Sequence, residues 1–392
     1  MNEKKRKLGE ERSKIRELFE YGKQRAKEIG AENVFDFSIG NPSAPTPKLV
    51  KEEIIRLLNE VPSNELHSYT SAQGDPAVRA AVSEHLKQEF GAKISAEHIY
   101  MTCGAAASLT IALGAILSGG EEVIVLAPYF PEYRVFIEGA RGICREVMTD
   151  ENFRLDLPAL DKAITANTAA VILNSPNNPT GVVYSGEEIK ALAALLKRKS
   201  EQFKKPIYLI SDEPYRELVY GAEVPFPAND YDNTLICYSF SKSMTLAGER
   251  IGYLAINDSA ENADALYAAC AGAGRELGFI CAPALFQRVV AKCLKLTSDK
   301  SVYERNRTLL YTALSDMGYS AVKPEGAFYF FVKSLEPDAK AFCERAKKHE
   351  LLFVPSDSFG VEGYVRISYC VPTERIERAL PAFEKLAKEY LG

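Results

Sequence analysis

Short β-branched runs alternate with helical patterns along most of the chain, and no other feature of the sequence restricts the fold as much. Strand-like runs cover 122–126, 169–173, 206–210, 234–238 and 251–256, and helix-like stretches such as 105–117 and 186–199 lie between them. These runs are apolar nearly throughout, as expected of strands buried on both faces. The expectation is an α/β fold, a mostly parallel sheet flanked by helices. From about residue 283 the pattern changes to long charged helices, with strand-like pieces at 328–332 and 364–368. A smaller α+β unit is expected there, completed by the N-terminal segment: a large unit over 46–284, and a small one from 1–45 with 285–392.

The 392 residues suffice for roughly two to three domain equivalents. The 48 basic and 53 acidic residues are spread evenly to a net charge of -5, which asks for neither nucleic acid nor an anionic membrane as partner. No apolar run approaches the ~18 residues of a membrane span. The first thirty residues carry both Lys/Arg and Glu without the apolar centre of a signal peptide, so a cytoplasmic protein is expected. Within them Ile15, Leu18, Phe19 and Tyr21 could stripe one face of a charged helix that packs on the body or on a second copy. Eight cysteines stand singly, mostly in apolar contexts, which suits reduced thiols rather than disulfides or a metal.

In open α/β sheets the ligand lies beyond the carboxyl ends of the strands. Asn174, Asp212 and Ser239 each follow a strand-like run, so three polar groups converge on one edge. Ser239-Phe240-Ser241-Lys242 continues from the third run, with Arg250 eight positions after the lysine. A lysine at the end of a buried strand, between hydroxyls and near an arginine, is placed to form an imine and hold a phosphate. That combination points to pyridoxal phosphate. Asp212 would then pair a protonated pyridine nitrogen, although a helix N-cap after a strand would also account for it. Asn174 to Gly181, Asn-Ser-Pro-Asn-Asn-Pro-Thr-Gly, reads as a rigid polar turn. Gly104, Ala105 and Ala106 open a helix with unobstructed N–H groups, a natural phosphate site that close helix packing would equally explain.

Other motif readings fail. Ser239-Phe240-Ser241-Lys242 matches the S-x-x-K of penicillin-recognising serine enzymes, but no K-T-G or K-S-G follows. Gly272, Gly274 and Gly278 have the wrong spacing for a dinucleotide fingerprint.

Taken together, Asn174 to Gly181, Asp212 to Tyr215 and Ser239 to Gly252 resemble the class I and II aminotransferases, pyridoxal phosphate enzymes of fold type I. The likeness runs from Ser38-Ile39-Gly40-Asn41-Pro42 to Gly363-Tyr364-Val365-Arg366-Ile367-Ser368. It implies that Lys242 carries the imine, that Asp212 pairs the pyridine nitrogen, and that Asn178 and Tyr215 bind the ring oxygen. Gly104, Ala105, Ala106, Ser239, Ser241 and Arg250 would hold the phosphate, with Tyr69 reaching in from a second subunit. Phe130 matches the aromatic that stacks on the ring, where tryptophan or tyrosine is commoner. Arg366, assisted by Gly40 and Asn178, would grip the substrate's α-carboxylate.

The resemblance further implies a homodimer with shared sites, acting on an amino acid and a 2-oxo acid. Arg275, 33 residues after Lys242, is loosely similar to an arginine that binds a side-chain carboxylate across the subunit boundary. Aspartate or glutamate is therefore the expected donor, although an interface ion pair would also explain Arg275. The same cofactor residues would serve a carbon-sulfur β-lyase. A non-catalytic regulator domain is a third reading, and the residues before Val34 are too few for the DNA-binding unit such proteins carry.

Overall fold

The computed structural model describes residues 1–10 and 14–392. Seven strands form the main sheet: β2 (Ile99–Thr102), β3 (Glu122–Ala127), β4 (Ile143–Met148), β5 (Thr168–Asn174), β6 (Tyr208–Asp212), β7 (Thr234–Ser239) and β8 (Gly252–Ile256). Their spatial order is β2-β8-β7-β6-β5-β3-β4. Neighbours from β7 to β4 run parallel, and β8 alone is antiparallel to both of its partners. β1 (Phe35–Asp36) pairs parallel with β11 (Leu351–Leu352). Four of the last five strands form a second, antiparallel sheet: β9 (Ser320–Ala321), β10 (Tyr329–Lys333), β12 (Val354–Pro355) and β13 (Tyr364–Ser368), in the order β12-β13-β10-β9.

Side chains alternate across a strand, and here both sets are buried. Val123, Val125, Ala170 and Ile172 pack on one face with Leu109, Ile111 and Leu113 of the helix Ala105–Ile116. Ile124, Leu126, Val171 and Leu173 pack on the other face with Ile189, Leu192 and Leu196 of the helix Gly186–Phe203. Both faces being covered is why the strands read as continuous apolar runs. Ser185 and Glu188 start the second helix with a reciprocal capping box, a device in which replacing the cap residue by Ala costs about 0.5–2 kcal/mol. Ile124 is fully buried in the sheet, so Ile124→Ala should cost about 2–5 kcal/mol. The second sheet has its own core, where Phe328, Phe330, Phe342 and Phe353 meet Leu310 and Phe383 of the helices Ser301–Asp316 and Thr373–Leu391.

The N-terminal stripe is only partly realised. In the helix Lys14–Ile29, Leu18 is buried and Ile15 half-buried, while Tyr21 stays 41% exposed. Arg25 ties this helix to Glu350 at 2.6 Å. Among the described residues no helix is long and apolar enough to cross a membrane, and the eight cysteines are all free.

Candidate active site

Sheet register fixes which residues share the carboxyl edge. Asn174 lies beside Asp212, Asp212 beside Cys237, and Ser239 beside Gly252, which also faces Thr102. Because β8 runs antiparallel, its entrance rather than its exit lies on this edge, and that brings Arg250 beside Ser239. A cleft of about 290 Å³ opens there, lined by Gly40, Ala105, Ala106, Phe130, Asn178, Asp212, Tyr215, Ser239, Ser241, Lys242, Arg250 and Arg366. A larger groove of about 590 Å³ lies by the opposite ends of β7 and β8, among residues such as Lys197, Asp232 and Glu261. Size alone does not locate the chemistry.

One end of the cleft is an anion cradle. The helix Ala105–Ile116 begins here, and its first N–H groups have no partners within the helix. Ser239 and Ser241 share a hydroxyl hydrogen bond of 2.8 Å, and Arg250 Nη1 donates to Ser241 at 3.4 Å. Arg250 Nη2 donates to the Cys103 carbonyl at 3.2 Å. Gly104 has φ +87, and a Cβ there would stand 2.9 Å from Arg250 Nη2. Glycine thus keeps the backbone and the guanidinium close together.

Asp212 ends β6 without starting a helix, so the capping explanation does not hold. Tyr133 donates to its Oδ2, while Oδ1 is buried and has no hydrogen-bond partner. Burial pushes the carboxyl up to about 7; Glu213 adds to the rise and the Tyr133 hydroxyl opposes it. A buried carboxylate with an open oxygen and, among the described residues, no cation beside it suits a protonated ring nitrogen. Phe130 meets Tyr133 edge-on at 5.6 Å and lines the cleft.

Lys242 lies between these features. Its Nζ donates to the Gly40 carbonyl at 2.7 Å. Burial, reinforced by the Arg366 and Arg250 charges, lowers its pKa to about 8. Arg366, on β13, is 2% exposed, with Nη1 donating to Asn178 Oδ1 at 3.1 Å and Nη2 to the Ser38 carbonyl at 2.6 Å. Its Nε is buried without a partner. Asn178 is held by its N–H to Asn174 Oδ1 at 2.8 Å, and Asn174 Nδ2 reaches the Asp212 carbonyl at 2.9 Å. The hydroxyl of Tyr215 lies 3.1 Å from that of Tyr329, and burial holds the Tyr215 phenol well above its ordinary range.

Two expected residues are not brought to the cleft of their own chain. Tyr69 is 95% exposed, and Arg275 is exposed in the last turn of the helix Ala263–Glu276. Two that the sequence did not single out are in place. Tyr133 stands three positions after Phe130, in the first turn of the helix Glu132–Gly139, and its N–H donates to the Phe130 carbonyl at 3.0 Å. Tyr329 carried no local signal, because its position depends on strands distant in sequence.

The fold has close counterparts among known proteins. A family model described as aminotransferase class I and II matches residues 32–383. A probable aspartate aminotransferase from Methanocaldococcus jannaschii is 32% identical over 95% of this chain and 96% of its own length. The crystal structure of an amino transferase from Eubacterium rectale superposes with a TM-score of 0.98 at 53% identity, covering 100% of this chain and 99% of the other. The aspartate aminotransferase from Thermus thermophilus with maleate gives 0.86 at 29% identity, over 96% and 97% of the two chains.

Proposed function

The chain belongs to the class I and II aminotransferase family and is a pyridoxal phosphate-dependent transaminase, and from that premise we propose which residues do the work and on what. The observation that carries the assignment is the placing of Lys242, within one cleft, between the Arg250 cradle, the open oxygen of Asp212 and the unpaired Nε of Arg366.

When bound, the cofactor supplies an electron sink that stabilises negative charge at the substrate's α carbon. Asp212 Oδ1 would pair the protonated pyridine nitrogen, and Arg250, Ser239, Ser241, Gly104 and the N–H groups of Ala105 and Ala106 would hold the phosphate. Asn178 and Tyr215 would bind the ring oxygen, and Phe130 would pack against the ring. Arg366 offers Nε and one Nη to the substrate carboxylate, a planar fork that lysine could not supply. Gly40 lines the carboxylate site and also accepts from Lys242. Lys242 Nζ would take the proton from the substrate's α carbon and deliver it to the cofactor's C4′, for which it must start neutral. With a pKa near 8 rather than its ordinary 10.5, the amine is neutral over a useful range.

The substrate class we infer is a dicarboxylic amino acid, aspartate or glutamate, with 2-oxoglutarate as acceptor. Relatives named for aspartate, and a neighbour holding maleate, support it. Among the described residues lining the cleft the cations are Lys242, Arg250 and Arg366. A second carboxylate therefore needs a further cation, and Arg275 of a second copy is the candidate. Such a homodimer would also bury Tyr69 and Ile280, the latter 52% exposed, on segments joined by Cys281 N–H to the Ala72 carbonyl at 3.1 Å. We read the protein as cytoplasmic, with a large unit over 46–284 and a small one from 1–45 and 285–392; the separate cores of the two main sheets support the division.

The test is a half-reaction screen: each amino acid is added to the loaded protein and the absorbance of bound cofactor is followed. Aspartate and glutamate should discharge it fastest. If no amino acid does so, or if cystathionine yields pyruvate and a thiol without any oxo acid, the reading is overturned.

A further inference from the structure

Tyr329 lies on β10, where Phe331 faces Arg366 and Tyr329 faces Ser368. Residues two apart share a sheet face, so the Tyr329 ring lies diagonally beside Arg366. The guanidinium carbon stands 4.5 Å from the ring centroid. The ring is buried, packs edge-on against Tyr215 at 5.9 Å and also lines the cleft. Its hydroxyl is 3.1 Å from that of Tyr215. The backbone at Gly40 comes so close that a Cβ there would stand 1.9 Å from the Tyr329 oxygen. One side chain therefore touches the residue that grips the carboxylate, the residue that donates to the cofactor's ring oxygen, and the glycine whose carbonyl accepts from Lys242.

From these contacts we propose that Tyr329 is a positioning residue, whose ring fixes Arg366 for the carboxylate and whose hydroxyl directs the Tyr215 proton toward the cofactor. The inference rests on the functional reading above. Each tyrosine has one hydroxyl proton. If Tyr215 donates to the ring oxygen, it cannot also donate to Tyr329, so Tyr329 must be the donor of the pair. A phenol that accepts a hydrogen bond is a better donor itself. Removing the Tyr329 hydroxyl then weakens the Tyr215 bond to the ring oxygen. That oxygen's negative charge, less well partnered, holds the neighbouring imine proton more tightly.

The two functions separate by substitution. Tyr329→Phe keeps the ring and loses the hydroxyl, so the pH midpoint of the bound cofactor's absorbance should rise by roughly 0.4–1 pH unit, the size of one net hydrogen bond. Dissociation constants for dicarboxylate inhibitors should stay within about twofold, since the ring beside Arg366 is kept. Tyr329→Leu loses both, and should add a rise of about fivefold or more in those constants, in line with a desolvated cation–π contact. A normal wild-type titration with an unmoved Tyr329→Phe midpoint overturns the inference by itself, whether or not Tyr329→Leu folds. A wild-type chain that develops no cofactor absorbance overturns the functional reading and this inference with it.

Discussion

Asp212 and Glu213 are neighbours in the chain, both acidic and both buried, 5% and 1% exposed. At the end of a strand they diverge, as successive side chains do. Glu213 is fully answered from within: Ser211 donates to Oε1 at 2.7 Å and Arg216 Nε to Oε2 at 2.5 Å. Arg216 in turn donates to the carbonyls of Val224 and Pro225 at 3.1 and 2.9 Å and lies by the rings of Phe90 and Phe226. Asp212 has a tyrosine on one oxygen and nothing on the other. The chain thus neutralises the charge that holds its loop in shape and leaves one oxygen of the other carboxyl open toward the cleft. An orphan atom is not sufficient evidence by itself, since Glu217 Oε2, His85 Nδ1, Arg79 Nε and Arg307 Nε are also unpaired. Asp212 and Arg366 differ from those four in lining the same cleft as Lys242 and the anion cradle.

The contrast breaks first at Lys242, where the largest effect is expected. Lys242→Ala should slow amino transfer by about 10³-fold or more, the scale on which positioned acid–base groups act. Stability should not fall, because a buried ammonium is removed. Borohydride reduction followed by peptide mapping is the check on the assignment: label on any other lysine refutes it. Glu213→Ala should show the reverse pattern. It strands the Arg216 charge in the interior, at a cost of about 3–5 kcal/mol in denaturant unfolding. A Glu213→Ala protein as stable as the wild type would break the comparison on the structural side.

A pH series on the cofactor-free protein sharpens it further. Asp212 has its folded pKa raised from 3.8 to about 7, so the folded state holds the proton more tightly than the unfolded chain. The linked stability is fully present below pH ~4 and is lost as pH rises through ~7. Asp212→Asn removes this dependence. Its stability advantage over the wild type should grow between pH 4 and 7 and level off on the order of 4 kcal/mol, at ~1.4 kcal/mol per pH unit. Chemical unfolding of both cofactor-free proteins at pH 5 and 8 measures the gap; a gap that does not widen would mean that Asp212 is ionised and compensated in a way the open oxygen does not suggest. Loaded with cofactor, the wild type should recover the difference, because a ligand that binds only the folded state stabilises it.

Much of this architecture is written in local sequence. The strand expected at 234–238 is found at Thr234–Ser239, and the one at 364–368 is Tyr364–Ser368, because an apolar run flanked by turn residues is a local signal. The edge strand Ile143–Met148 escaped notice, since its exposed and half-buried residues break the apolar run. Strand order escaped as well: nothing local says that β8 is inserted antiparallel between β2 and β7, and it is this insertion that turns Arg250 toward Ser239. Lys242, Asp212 and Asn178 were legible because each closes or follows a strand on one edge. Tyr329 was not, because its contacts to Arg366, Tyr215 and Gly40 join segments spread over most of the chain.

The smallest expected effect tests a cation outside both groups. Arg275 is neither buried and paired nor buried and open; it is exposed in the final turn of its helix, where a positive charge complements the helix dipole whatever else it does. In one chain it is remote from the roles of Arg366 and Arg250, and only a second copy could carry it to a cleft. If it meets the side-chain carboxylate there, Arg275→Ala should lower kcat/KM for aspartate at least tenfold, about 1.4 kcal/mol, while leaving an apolar amino acid such as leucine nearly unchanged. A helix-end charge alone predicts no preference between the two substrates and a stability loss of about 0.3–1 kcal/mol. Paired kinetics therefore decide: an equal effect on aspartate and leucine removes Arg275 from the substrate site, whereas a loss confined to aspartate shows that a charge exposed in one chain is used by its neighbour.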